Sequence, residues 1–240
     1  MRQAILDKAL AAIRSEPRIG PHFRPDRLEA DPAGVLTVEA EVDSLAQKRL
    51  ALERIAGTPG VNGIVDRLRV RPATPMSDGG IADDLRRRLA EEPAFRNLEI
   101  AERRRGRLEP VSGVPGGAAG RIEFEVGEGV VTLDGAAPSL ASKRLAGAMA
   151  WWIPGVRDVV NGVAVEPPEE DAPIQIEEAV RLVLEKDPFV DADQIRVGVR
   201  GAVVRLTGLV RSPGMRETAE DDAWRVFAVD DVINRIEVRA

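Results

Sequence analysis

Four arginines fall within five residues at Arg103-Arg104-Arg105-Gly106-Arg107. A guanidinium carries a permanent charge and a planar fork of donors that can bond two oxygens of one phosphate or carboxylate. On a chain with 40 acidic against 34 basic side chains and a net charge of −6, this run is a local positive patch on an acidic background. Two readings are open. The run is a mobile surface insertion, or it is a basic finger for phosphate head groups, a nucleic-acid backbone or an acidic partner. The segment continues into Ser112-Gly-Val-Pro-Gly-Gly-Ala-Ala-Gly120 and lacks the Gly-Lys-Ser/Thr end of a nucleotide phosphate loop. Nucleic acid is not the expected partner, because phosphate neutralisation needs a surplus of Lys and Arg.

Trp151, Trp152 and Trp224 are the three tryptophans. Trp151 lies about 140° around a helix from Ala146, so it flanks an inward alanine face rather than filling it. It serves either packing between neighbouring units or an amphipathic contact with a partner or membrane interface, where Trp is favoured.

The remaining chemistry is sparse. His22, the sole histidine, lies in the loop Gly20-Pro21-His22-Phe23 with no orienting partner in sight. Asp187, Asp191 and Asp193 cluster after a helix, but the sixth position counted from Asp187 is Ala192, where a calcium loop needs Gly. Without Cys there are no disulfides, thiolate metal sites or Cys nucleophiles. No set of residues supplies nucleophile, base and stabiliser together, so neither an enzyme nor a cofactor or metal is expected.

The elements that must position these residues recur along the chain. Shifted by 95, residues 34–51 lie over residues 129–146 with ten of eighteen positions identical. A shift of 73 lays Leu133, Gly135, Ser139, Ala146, Ala150, Asn161 and Val165 over Leu206, Gly208, Ser212, Ala219, Ala223, Asn234 and Val238. Recurrence at this scale marks a tandem architecture. The units are residues 1–72, 81–166 and 174–240. Residues 73–80 and the acidic, Pro-rich 167–173 read as linkers. The middle unit carries the Arg/Gly-rich insertion near 99–120.

Each unit opens with a helical pattern that ends near Pro17, Pro93 or Pro188, since proline cannot continue a helix. Two alternating runs follow around a Gly-bearing turn, as in Ile122-Glu-Phe124-Glu-Val126 and Val131-Thr-Leu133, the pattern of a half-buried hairpin. A second helix starts at Ser44, Ser139 or Ser212, each a favoured N-cap. Ser44 with Gln47 fits a capping box. A short strand closes the unit, parallel to the second strand across the helical crossover. The expected fold class is α+β: three tandem αββαβ sandwiches, each a three-stranded mixed sheet against two helices.

Gly129-Val-Val-Thr-Leu-Asp-Gly135, Ser139, Lys143, Ala146, Ile153-Pro-Gly155-Val156 and Val159-Val160-Asn161-Gly-Val-Ala-Val165 together resemble the BON domain (bacterial OsmY and nodulation). The middle unit carries the fullest pattern. The first has Ala40 where the others have Gly135 and Gly208, and the third has Ala228 where the others have Gly60 and Gly155. The resemblance implies a non-enzymatic binding module, linked to stress proteins, that contacts phospholipid membranes or other proteins. The expected partner is an anionic phospholipid surface or an envelope protein, with Arg103, Arg104, Arg105 and Arg107 as the anion-binding candidates. Trp151, Trp152 and Trp224 are the interface candidates. The alternative is a soluble protein-interaction scaffold without lipid binding.

No stretch approaches the ~18 apolar residues of a spanning helix. Asp7, Lys8, Arg14 and Glu16 interrupt the apolar run of ~7–15 residues that a secretory signal needs. The sequence as written is therefore expected in the cytoplasm, with the periplasm as the alternative that the resemblance implies.

Overall fold

The structure is a computed structural model and describes residues 2–239. Two compact units divide the chain, Met1–Arg71 and Pro72–Ala240.

The N-terminal unit runs α1 (Arg2–Arg14), β1 (Arg27–Ala30), β2 (Val35–Val42), α2 (Leu45–Ala56) and β3 (Gly63–Val70). The sheet order is β1-β2-β3, with β1 antiparallel and β3 parallel to β2. Ala9 and Ile13 of α1 and Ala51 and Ile55 of α2 close over Leu36 and Val38 of the sheet. Ser44 Oγ accepts from Gln47 N at 3.2 Å. The Gln47 carbonyl reaches one residue further than a capping box requires and accepts from Asp43 N at 2.9 Å.

The larger unit holds two αββαβ modules. The first contains α3 (Asp78–Glu91), a short 3-10 turn at Pro93–Phe95, β4 (Leu98–Arg104), β5 (Arg107–Ser112), β6 (Gly120–Gly127), β7 (Val130–Ala137), α4 (Leu140–Trp151), β8 (Asp158–Asn161) and β9 (Ala164–Val165). The second contains α5 (Pro173–Lys186), β10 (Ile195–Arg200), β11 (Val203–Val210), α6 (Pro213–Arg225) and β12 (Asp231–Val238). Its sheet, β10-β11-β12, repeats the order and strand directions of the N-terminal one.

The α+β class holds, with six α-helices and three mixed sheets among the described residues. The middle sheet differs from three strands. Its order is β5-β4-β6-β7-β8, with β9 also on β7. The segment near 99–120 is therefore no loose surface insertion. It supplies β4, parallel to β6, and β5, antiparallel to β4. The linkers differ too. Residues 78–80 already belong to α3, and Pro173 opens α5. Glu169 accepts from Leu140 N at 2.8 Å and Asp171 pairs with Arg144 at 2.6 Å, so the acidic stretch is bound to α4 instead of acting as a free spacer.

One polar clasp recurs in each module. Asn161 Nδ2 donates to Lys143 O at 2.8 Å, and Asn234 Nδ2 donates to Arg216 O at 2.9 Å, tying the last strand to the second helix. At the matching place of the N-terminal unit stands Asp66. As an acceptor it cannot bond that carbonyl, and it takes the Lys48 ammonium at 2.7 Å instead. In all three the side-chain oxygen also accepts from the backbone N–H two residues on.

The Gly-to-Ala departure at position 40 has a steric reason. A Cβ at Gly135 would stand 2.3 Å from Arg121 O on the antiparallel β6, and one at Gly208 would stand 2.0 Å from Gln194 O, just before the antiparallel β10. In the N-terminal sheet, β1 ends its pairing at Arg27 opposite Glu39, so no residue of β1 is paired with Ala40, whose ladder partner is Leu68 of β3. Ala228 keeps a left-handed backbone (φ 70°), as does Gly60 (φ 95°). Alanine there carries strain of about 1–2 kcal/mol.

Candidate functional site

The β4–β5 hairpin turns tightly at Arg105 and Gly106, whose φ angles are 51° and 75°. Alternation along β4 sends its arginines in different directions. Arg103 points to the side of the sheet where Glu123 waits and pairs with it at 2.5 Å. That face continues as Arg121 with Glu99 at 2.7 Å, a ladder of opposite charges across β4 and β6.

Arg104, Arg105 and Arg107 are exposed, and among the described residues none has a hydrogen-bond or ion-pair partner. Arg104 stands directly opposite Arg107 in the register. Like charges facing across strands repel. The structure thus separates the four arginine candidates: Arg103 is spent on an internal pair, and three charges remain at the tip.

Beneath the tip lies a cavity of about 320 Å³ between the first turns of α3 and the ends of β4 and β6. Its lining mixes signs. Arg86 engages Asp83 and Glu102, Asp78 accepts from the N–H groups of Glu128 and Gly129, and Glu125 is exposed. The positive surface is therefore the outward tip, and the cavity floor is balanced.

Trp152 lies at the junction of the two C-terminal modules. Helix α4 packs on β7 and β8 of its own sheet and on α5 and α6 of the next module. Both sides being covered, Leu145, Ala146, Gly147, Ala148, Met149 and Ala150 are all buried. Trp152, the C-cap, donates through Nε1 to Asp222 Oδ1 of α6 at 2.8 Å. Trp224 is 1% exposed, because α6 meets α4 and α5 as well as β11 and β12 and its flank is covered. Trp151 is half-buried at the end of α4.

Arg144 is 0% exposed in this junction. Its Nε donates to Phe227 O at 3.1 Å and its Nη2 to Asp171 at 2.6 Å. Lys143 stands over the Phe227 ring, 5.4 Å from its centre. Lys186 of α5 pairs with Glu92 after α3 at 2.6 Å. Sequence reasoning passed over Arg144 and Asp222; an Arg set within the alanine-rich stretch of α4 was the available signal.

His22 is exposed in its turn and has no hydrogen bond among the described residues. Asp187 accepts from Phe189 N at 2.7 Å, as a loop cap does. Among the described residues no three His, Cys, Asp or Glu side chains gather as a metal site, and no helix is long and apolar enough to cross a membrane.

The fold and its surfaces define a protein of repeated small α+β modules with a charged hairpin tip. The BON domain model matches residues 112–167 and 175–240, half of the chain, and the chain belongs to the BON domain family. That family is associated with phospholipid binding and with envelope or stress roles. No curated protein matches the chain. Among solved structures, the C-terminal domain of CdsD, the structural protein of the type III secretion system of Chlamydia trachomatis, is 13% identical over 98% of each chain with a TM-score of 0.26. A second CdsD structure is 13% identical over 98% of this chain and 92% of that one, with a TM-score of 0.25.

Proposed function

We propose that this is a non-enzymatic BON protein of three modules that associates with an anionic phospholipid surface through the β4–β5 hairpin tip. The observation that carries the reading is the register pair Arg104–Arg107, with Arg105 between them and, among the described residues, no carboxylate answering any of the three. Two facing guanidiniums repel in water, and an anion seated between them converts that repulsion into two charge-assisted contacts. A hairpin with three unanswered charges at its end is shaped to meet a flat charged surface.

The N-terminal unit, residues 1–72, enters this reading as a third copy of the module. Its element order, its strand directions and the Asp66 clasp support that assignment. Linked modules raise one another's effective concentration, so weak individual contacts sum to useful avidity.

Co-sedimentation with phosphatidylglycerol-containing and pure phosphatidylcholine vesicles tests the proposal. Binding to the first and not to the second is expected, and it weakens as salt screens the contact. No binding to either at low salt overturns it.

The second reading is a protein-interaction scaffold. It is favoured by Phe189, which is 74% exposed in the loop after α5. The scaffold reading expects Phe189→Ala to abolish capture of a protein partner in the absence of lipid.

A further inference from the structure

Asp222 is 0% exposed where α6 meets α4 and α5. Its Oδ1 accepts from Trp152 Nε1 across the junction at 2.8 Å and from Arg225 Nη1 on its own helix at 2.6 Å. Its Oδ2 is buried and has no hydrogen-bond partner. A buried polar atom without a partner is costly, and a buried charge more so. One face of the carboxylate is thus satisfied and the other is bare, at the contact that joins two modules.

We propose that the Trp152–Asp222 contact is a proton-operated clamp: with a proton on Asp222, α4 stays seated on α6, and release of that proton to solvent loosens the two C-terminal BON modules from one another. The ionised form leaves a bare anionic oxygen in a dry junction. Separating the helices lets water reach that oxygen and removes the penalty. The carboxylic acid carries no such charge, so the closed arrangement favours it.

The surroundings agree with this direction. Burial pushes the Asp222 carboxyl from 3.8 up to about 7, against the opposing pull of Arg225 and of the Trp152 hydrogen bond. Asp187, at the end of α5, adds repulsion in the upward direction. Strands β11 and β12 carry the buried Val204, Leu206, Val232 and Ile236, with Asn234 bonded to Glu220 of α6, and α4 carries Arg144, which is held by Asp171 and the Phe227 carbonyl. At the same end of α5, Lys186 is engaged by Glu92. Asp221 is exposed. The clamp does not rest on the phospholipid reading, since it concerns the joint between modules and not the hairpin tip.

The three tryptophans give three indole N–H signals in a nitrogen-correlated NMR spectrum of the full chain, and these read the clamp directly. The Trp152 signal is expected to titrate between pH 5 and 9 with a midpoint near 7, and amide protection in α4 should fall across the same interval. Asp222→Asn, neutral at every pH, should show neither change. A flat Trp152 signal in the wild type, or the same transition in Asp222→Asn, overturns the proposal. Should Asp222→Asn fail to fold, Trp152→Phe removes the donor that favours the ionised form. The Trp224 signal should then titrate at higher pH than in the wild type, and an unmoved midpoint overturns the clamp.

Discussion

Trp152 and Asp222 stand seventy residues apart in sequence and meet as donor and acceptor at 2.8 Å. The indole ends the second helix of one BON module, and the carboxyl lies inside the second helix of the next. With Arg144, Asp171 and the Phe227 carbonyl, they make the two C-terminal modules one compact body. Trp152 and Trp224 are therefore used within the molecule, while Arg104, Arg105 and Arg107 stay exposed at the hairpin tip.

Asp222 sets a pH dependence of unusual sign. Between 3.8 and about 7 the folded chain holds a proton that the unfolded chain has released. Stability then falls as pH rises through this window and is level above it. All three tryptophans lie in the larger unit, so fluorescence-detected urea unfolding isolates its response. We expect a loss of about 2 kcal/mol from pH 5 to pH 8, absent in Asp222→Asn.

Glu16, in the N-terminal unit, behaves oppositely. Burial would raise its carboxyl, but the Arg54 hydrogen bond and the backbone N–H of Arg18 outweigh it and hold the group below 4.5. Its contribution is present above 4.5 and is lost as pH falls through the lowered value. Arg54→Ala should therefore reduce the acid sensitivity of the N-terminal unit, measured by circular dichroism.

Breaking the Arg144 site should be expensive. Arg144→Ala removes the partner of Asp171 and the donor to Phe227 O and leaves a cavity beside α4. Urea unfolding should show a loss of about 3 kcal/mol in the larger unit. A loss under about 1 kcal/mol would mean that the junction contributes little.

Gly135→Ala puts a Cβ 2.3 Å from a backbone oxygen at a φ of 99°. Neither the space nor the backbone accommodates it, and a loss of more than about 2 kcal/mol is expected. Ala40→Gly, at the matching place in the N-terminal unit, should also destabilise, by about 1–2 kcal/mol, because it removes a buried core methyl and adds chain entropy to the unfolded state.

Much of the module was legible because its signals are local. Ser44, Ser139 and Ser212 do cap their helices, each accepting a backbone N–H. The turn at Glu128-Gly129 does join β6 to β7. The hairpin of residues 98–112 was not legible as strands. Its register shifts between Ile100 and Ala101, which breaks the alternation, and β5 is exposed through most of its length. Its place beside β6 depends on a pairing that no short pattern announces. The Trp152–Asp222 contact was hidden for the same reason: each residue reads as an ordinary helical position until the modules dock. In the Arg-rich run, the composition revealed the charge, and only the strand register distinguished the paired Arg103 from the unanswered Arg104, Arg105 and Arg107.

The most direct measurement is the binding of wild-type protein and of Arg104→Glu to phosphatidylglycerol-containing vesicles, taken with the unfolding midpoint of each. Replacing one of two facing arginines by Glu turns repulsion into attraction, so the variant should be more stable by about 0.5 kcal/mol while its vesicle binding collapses. Binding by Arg104→Glu equal to that of the wild type would contradict the account.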